Sequence, residues 1–249
     1  MGIFDGWTAV VTGAGRGLGR RLAIDLGAAG ANIVVNYLRS EREAAAVADI
    51  IRGDGGNAFP HRADISHAED VKTMLDATKA AYGHVDILVN NAGMRIDGPL
   101  LELAEADWDR AIDINLKGPF LCSQVFGRAM RVAGRGQILN ISAVPGVGGQ
   151  GNAANYCVSR AGLDMLTRCV ARELAPDVRV NGLALGFFEY GLVEKLYTSE
   201  QKLRLVNETP LRRLGSLGEV TDAVVFMASD AAGFITGQTL VIDGGRNMG

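Results

Sequence analysis

Near the start of the chain, Val10-Val11-Thr12-Gly13-Ala14-Gly15-Arg16-Gly17-Leu18-Gly19 leaves few folds open. The apolar run at 9–11 reads as a buried strand, alternating glycines follow it, and the amphipathic segment 18–29 reads as a helix. Such a strand, glycine turn and helix aim backbone N–H groups and a helix N-terminus at one point, where a pyrophosphate is stabilised. The spacing is not the dinucleotide pattern G-x-G-x-x-G. That pattern needs glycine at 18 or 20, where Leu18 and Arg20 stand. What stands here is T-G-x-x-x-G-x-G, carried by Thr12, Gly13, Gly17 and Gly19. Taken alone, the stretch also suits a tight glycine turn with no ligand.

The alternation of strand and helix continues along the chain. Strands are expected at 7–12, 32–37, 58–61, 85–89, 137–141, 178–183 and 239–242. Helices are expected at 41–53, 67–82, 105–114, 117–133, 152–174 and 216–228. Thr198-Ser199-Glu200-Gln201 and Ser216-Leu217-Gly218-Glu219 spell capping boxes. Strands separated by helices build a parallel sheet covered on both faces. The expected fold class is therefore α/β, a Rossmann-type doubly wound parallel sheet of about seven strands. No linker, repeat or low-complexity stretch divides the chain, so residues 1–249 are expected to form a single domain, with 187–210 as a lid over the substrate.

Charge and cysteine content narrow the function. The net charge is −3 with no long run of one sign, which argues against a nucleic-acid face or an acidic tail. Cys122, Cys157 and Cys169 cannot all pair within the chain, which fits a reducing compartment. No basic segment followed by an apolar stretch opens the chain, and no uncharged apolar run approaches the ~20 residues that span a membrane. A cytoplasmic protein with no membrane partner is expected. His61, His67 and His84 lack ligand spacing, so no metal site is expected.

Ligands of an open parallel sheet bind beyond the C-terminal ends of its strands. Those positions hold the glycine turn, Asn36-Tyr37-Leu38-Arg39, Asp64, Asn90 to Gly93, Ser142 and Leu185-Gly186. The chemistry should be there.

These residues resemble the short-chain dehydrogenase/reductase family over about 7–246. The T-G-x-x-x-G-x-G, the N-N-A-G at Asn90, Asn91, Ala92 and Gly93, the mid-helix Asn115, Ser142, the tyrosine Tyr156 of Y-x-x-x-K, and Ile242-Asp243-Gly244-Gly245 match in order. Val34-Val35-Asn36-Tyr37 and Pro210-Leu211-Arg212-Arg213-Leu214-Gly215 are most similar to 3-oxoacyl reductases and glucose-dehydrogenase-like members. The resemblance implies an oxidoreductase that moves a hydride between a nicotinamide and a carbonyl carbon, with Tyr156 as general acid and Ser142 hydrogen-bonding the same oxygen. It also implies a dinucleotide held by Thr12, Gly13, Gly15, Arg16, Gly17, Leu18, Gly19, Asn91, Ala92, Gly93, Gly186 and Phe188, with Asp64 and Ile65 flanking the adenine. A homo-oligomer, dimer or tetramer, is expected through the helices at 105–133 and 152–174.

Which coenzyme is bound can be argued from charge. An NAD site usually places an acid at the end of strand two to hold the ribose 2′-OH. Here Asn36 and Tyr37 end the strand, no acid appears before Glu41, and Arg16 and Arg39 stand close by. Two guanidinium groups suit a 2′-phosphate, so NADP(H) is the expected cofactor. The competing reading leaves both arginines as solvated side chains.

Four residues after Tyr156 the family carries a lysine that stabilises the phenolate, holds the nicotinamide ribose and passes protons through a water set by the asparagine. This chain has Arg160. A guanidinium keeps the charge and can bond ribose hydroxyls but does not readily release a proton. Three readings stay open: a slower reductase, a site with another proton route, or a cofactor-binding relative with little redox activity. Leu185 also replaces the family's proline after strand six, and Tyr190 stands where a threonine contacts the carboxamide.

For the substrate, candidate walls are Met94, Ile96, Val144, Pro145, Val147, Phe187, Phe188, Leu192 and Leu196, a mostly apolar set that favours a hydrophobic or 3-oxoacyl ketone. The family's acyl-carrier reductases carry a basic residue in the turn after the long helix to dock an acidic carrier. Here that turn is short and acidic, Ala175-Pro176-Asp177-Val178, with Arg168 and Arg172 nearby or facing solvent, so a carrier-bound substrate stays open.

Overall fold

Adjacent residues of the first strand feed two separate cores, and the rest of the sheet repeats the rule. In the computed structural model, which describes residues 2–191, 193 and 197–247, β1 spans Thr8–Val11. Ala9 and Val11 face a layer built by Leu22 and Leu26 of α1 (Gly17–Ala28), Val47 and Ile51 of α2 (Glu41–Gly53), and Val220 and Val224 further on. Val10 faces the opposite layer, with Val71 and Met74 of α3 (Ala68–Tyr82) and Phe126 and Met130 of α5 (Gly118–Ala133). Period-two alternation on a sheet covered on both faces makes most positions of the central strands apolar, which is why they read as largely hydrophobic runs.

The remaining strands are β2 (Asn32–Tyr37), β3 (Ala58–Arg62), β4 (Ile87–Asn90), β5 (Gly136–Ala143), β6 (Val178–Leu185) and β7 (Thr239–Ile242). All seven are parallel, in the order β3-β2-β1-β4-β5-β6-β7. The chain reverses its direction of growth between β1 and β4. Beyond the C-terminal ends of those two strands lies the crevice where such sheets bind ligands.

Between the strands run α4 (Glu105–Ile112), the short α6 (Pro145–Gly148), α7 (Ala154–Leu174), α8 (Ser199–Glu208) and α9 (Leu217–Ala228). Both capping boxes form: Thr198 and Gln201 cap α8, and Ser216 and Glu219 cap α9. Three details differ from expectation. Strands β5 and β6 run two residues longer, to Ala143 and Leu185, because each pairs in register with its neighbour to that point. The expected helices at 105–114 and 117–133 are joined by a π-helical turn, Asp113–Lys117, not separated. The segment 145–148 closes one helical turn that no periodicity signals.

Candidate active site

Thr12 stitches the two loops at the crevice together. Its hydroxyl donates to the Val89 carbonyl (3.3 Å) and accepts from the backbone N–H groups of Asn91 and Ala92 (both 3.0 Å). In return the Asn91 amide donates to the Thr12 carbonyl at 2.9 Å. Gly13 follows with φ +63°, and a Cβ there would lie 3.0 Å from the Ala92 backbone, so only glycine fits. The Gly13 N–H donates to the Asn36 side-chain oxygen (3.1 Å), and the Asn36 amide donates to the Ala63 carbonyl (3.1 Å). Asn36 is thus a buried strut under the turn, and Tyr37 is buried beside it.

A Cβ on Gly15 would lie 2.6 Å from the Ser40 hydroxyl oxygen. That close approach brings the chain at Arg16 near the chain at Arg39. Both are exposed, and neither forms an ion pair among the described residues. Arg16 is also the N-cap of α1 and makes no side-chain cap bond. The first N–H groups of that helix, at Gly17, Leu18 and Gly19, are therefore left for an anion. These residues fit a phosphorylated dinucleotide.

At the end of β3, Asp64 accepts from the Ser66 N–H (3.0 Å) and hydroxyl (2.7 Å). Burial pushes its carboxyl up, but the two Ser66 bonds outweigh this and hold it below its ordinary value. Ile65 is buried against Gly118.

Across the crevice, Ser142 lies near the end of β5, while Tyr156 and Arg160 stand one turn apart on α7. The Arg160 Cζ sits 5.1 Å from the Tyr156 ring centroid. Its Nη1 donates to the Ile141 carbonyl at 3.0 Å, and its Nε is buried with no partner among the described residues. Gly93 has no room for a Cβ beside this guanidinium. Asn115 sits in the π-helical turn, where its side-chain oxygen accepts from the Met94 N–H (2.8 Å) and its amide donates to the Met94 carbonyl (2.8 Å) and the Ser159 hydroxyl (3.0 Å). The extra residue of that turn aims Asn115 inward, so the helix feeds the site without breaking. The Ser142 hydroxyl makes one long bond, donating to the Arg160 carbonyl at 3.4 Å.

Two charged neighbours were not anticipated. Arg95, paired to Asp97 at 2.7 Å, places its Cζ 5.3 Å from the Tyr156 ring on a different side chain path from Arg160. Asp164 is buried beside the Ser142 and Thr239 hydroxyls. Burial pushes its carboxyl up, against the opposing pull of Ser142 and Arg168. Residues 156, 160 and 164 follow helical spacing, so Asp164 was visible in the sequence as a third residue on that face. Tyr190 stands over the glycine turn: its ring would lie 3.4 Å from a Cβ on Gly17. Burial, with Tyr156 close by, pushes the Tyr190 phenol up.

One cleft of about 780 Å³ joins these parts, bounded by Leu18, Asn91, Gly93, Ser142, Tyr156, Arg160, Gly186 and Tyr190. Of the expected substrate walls, Met94, Val144, Pro145, Phe187 and Phe188 line it, whereas Ile96 and Val147 do not; Leu192 and Leu196 lie outside the described residues. The wall is more polar than expected, because Arg95, Gln150, Arg204, Glu208, Arg246 and Asn247 complete it.

The family described as enoyl-(acyl carrier protein) reductase matches residues 13–247. The chain belongs to the short-chain dehydrogenase/reductase family. The expected fold and membership hold, and the relatives of this short-chain dehydrogenase/reductase are oxidoreductases by name. A 3-oxoacyl-(acyl-carrier-protein) reductase FabG of Staphylococcus aureus is 40% identical over 242 residues, 97% of this chain and 98% of the relative. The FabG of Escherichia coli is 37% identical over 98% of this chain and 99% of its own length. Among solved structures, a gluconate 5-dehydrogenase of Burkholderia cenocepacia in complex with NADP and tartrate has a TM-score of 0.92 at 37% identity, covering 97% of this chain and 95% of that one.

Proposed function

We propose that this enzyme uses NADPH to reduce the carbonyl of a small molecule to a secondary alcohol, with Tyr156 as the general acid and Arg160 in the place of the family's lysine. The observation that carries the reading is the Arg160 guanidinium 5.1 Å from the Tyr156 ring, within one cleft with Ser142 and Leu18 at the start of α1. Exposed, unpaired Arg16 and Arg39 about the Gly15–Ser40 contact support a 2′-phosphate, and the NADP bound by the gluconate 5-dehydrogenase agrees with it.

The nicotinamide, when bound, supplies the hydride. Ser142 turns its hydroxyl from the Arg160 carbonyl and the Asp164 carboxyl onto the carbonyl oxygen, and Tyr156 gives that oxygen its proton as negative charge develops. Arg160 compensates the charge left on Tyr156 from its place over the ring. Since a guanidinium does not release a proton, Tyr156 regains its own from water. Asn115 fixes the Met94 backbone that forms the cleft's edge.

The apolar part of the wall suits a hydrophobic or 3-oxoacyl ketone. Exposed Phe120, Val158 and Met165 on α5 and α7, and Leu240 and Val241 on the edge strand β7, support a homo-oligomer. A second reading, a dinucleotide-binding protein with impaired turnover, is favoured by Tyr190, whose ring stands against Gly17. Tyr156→Phe decides between them. Loss of NADPH absorbance with a panel of ketones should fall by about 10²-fold or more in the variant while NADPH affinity is retained. Absence of turnover in both proteins would support the second reading.

A further inference from the structure

Among the described residues the cleft walls carry four arginines, Arg95, Arg160, Arg204 and Arg246, and one carboxylate, Glu208, with Asp97 pairing Arg95 from outside the wall. Two of the four belong to the site already described, beside Tyr156. The other two lie on α8 and the C-terminal tail. Arg204 pairs with Glu208 at 2.7 Å, and Arg246 pairs with the other oxygen of the same carboxylate. One carboxylate shared by two guanidiniums leaves a positive charge over.

That charge is held by a built framework. Asp243 accepts from the N–H groups of Gly245 (2.9 Å) and Asn247 (2.7 Å), which folds the tail back onto the cleft. The Arg246 guanidinium then sits over Phe187, with Cζ 4.9 Å from the ring centroid. The ring restrains the fork, and Glu208 takes one edge of it. The remaining Nη1 is buried and has no partner among the described residues. A buried guanidinium N–H with no acceptor is costly, so the fork is incompletely satisfied by Glu208, while its exposed quarter borders the cleft and is open to an anion.

We infer that Arg246, with Arg204 behind it, is the subsite for a carboxylate on the substrate, so that the preferred substrates are oxo acids bearing their carboxylate at the end of the chain remote from the reacting ketone. This rests on the reductase reading of the Tyr156 site for its turnover but not for its binding. The apolar walls of the same cleft, such as Val144 and Phe187, meet the methylene chain, while the arginine takes the charged end. Electrostatic focusing in the cleft favours the acid over its neutral ester.

The test compares a homologous series of oxo carboxylates, from 3-oxobutanoate to 7-oxooctanoate, with their ethyl esters. The wild-type protein should reduce at least one acid with kcat/KM about tenfold or more above its ester. Arg246→Gln should abolish that preference through KM, Arg246→Lys should restore part of it, and ester reduction and NADPH affinity should stay as they were. Binding of glutarate to the NADPH-loaded protein, followed by calorimetry, is the second readout and is expected to weaken about tenfold in Arg246→Gln. If glutarate binds in this way but no ketone is reduced, the subsite stands and the reductase reading alone falls. Equal handling of acid and ester, glutarate binding indifferent to Arg246→Gln, or a loss of NADPH affinity in place of acid preference would overturn the inference.

Discussion

Arg160→Lys should make the enzyme faster and less stable at once. Counting atoms from Cβ, a lysine Nζ takes the place of the arginine Cζ, which lies 5.1 Å from the Tyr156 ring centroid. The positive charge therefore stays where Tyr156 needs it. What is lost is the reach beyond Cζ, namely the 3.0 Å bond from Nη1 to the Ile141 carbonyl. A hydrogen bond from a charged group contributes about 1.5–3 kcal/mol, and the loss is offset in part because the unpartnered Nε disappears as well. A net cost of about 1–2 kcal/mol corresponds to a Tm lower by roughly 2–8 °C in a chain of this size. Turnover moves the other way, because an ammonium can pass on a proton and a guanidinium cannot. Positioned proton transfer contributes about 10²–10⁴-fold, and recovering part of that should raise kcat by about tenfold. Steady-state NADPH oxidation and thermal unfolding, measured on the same preparations, read both effects. A variant with lower kcat and unchanged NADPH affinity would refute the reasoning, since it would show that the fork, not the charge, is what Tyr156 requires.

Two further substitutions address the neighbours of that pair. Tyr190→Thr should tighten NADPH binding by about tenfold, because the aromatic ring over Gly17 no longer has to be displaced; a fluorescence titration showing equal or weaker binding would count against a ring that competes with the coenzyme. Asp164 has its carboxyl raised by burial, so the folded state holds the proton more tightly than the unfolded chain, and stability falls as pH rises from the ordinary aspartate range through the raised value. Asp164→Asn should accordingly be the more stable protein at neutral pH, with the gap closing below about pH 4, where the carboxyl is protonated in both states. Denaturant melts across pH that show a constant gap would remove this account.

The sheet was legible because covered parallel strands must be largely apolar, and each was followed by glycine or a polar turn before an amphipathic helix. The two capping boxes were legible because their hydrogen bonds span three residues and need nothing from the rest of the fold. The π-helical turn at 113–117 was not, since an added residue changes the helical phase without altering composition. Strand ends were missed by two residues at β5 and β6, where pairing with a neighbour, not local preference, decides the length.

Within the site, what the sequence reveals depends on how far apart the interacting residues lie along the chain. Thr12 and Gly13 announce themselves through a short spacing, and Ser142 and Tyr156 through the resemblance to the family's motifs. Arg95 and Arg246 do not, because their placement depends on long-range encounters: Arg95 meets Tyr156 from the loop after β4, and Arg246 reaches Phe187 and Glu208 only because Asp243 folds the tail back. Arg160 falls between these cases. Its identity was readable as a departure from the family, but its consequence was not, since the same side chain could have pointed to solvent. The structure shows why it does not: Gly93 leaves the guanidinium its space, and the Ile141 carbonyl takes up the added length. The arginine is thereby tied to β5, the strand that also carries Ser142. Under the proposed mechanism, a charge fixed to the strand that carries Ser142 cannot swing to carry protons, so it would act by position alone.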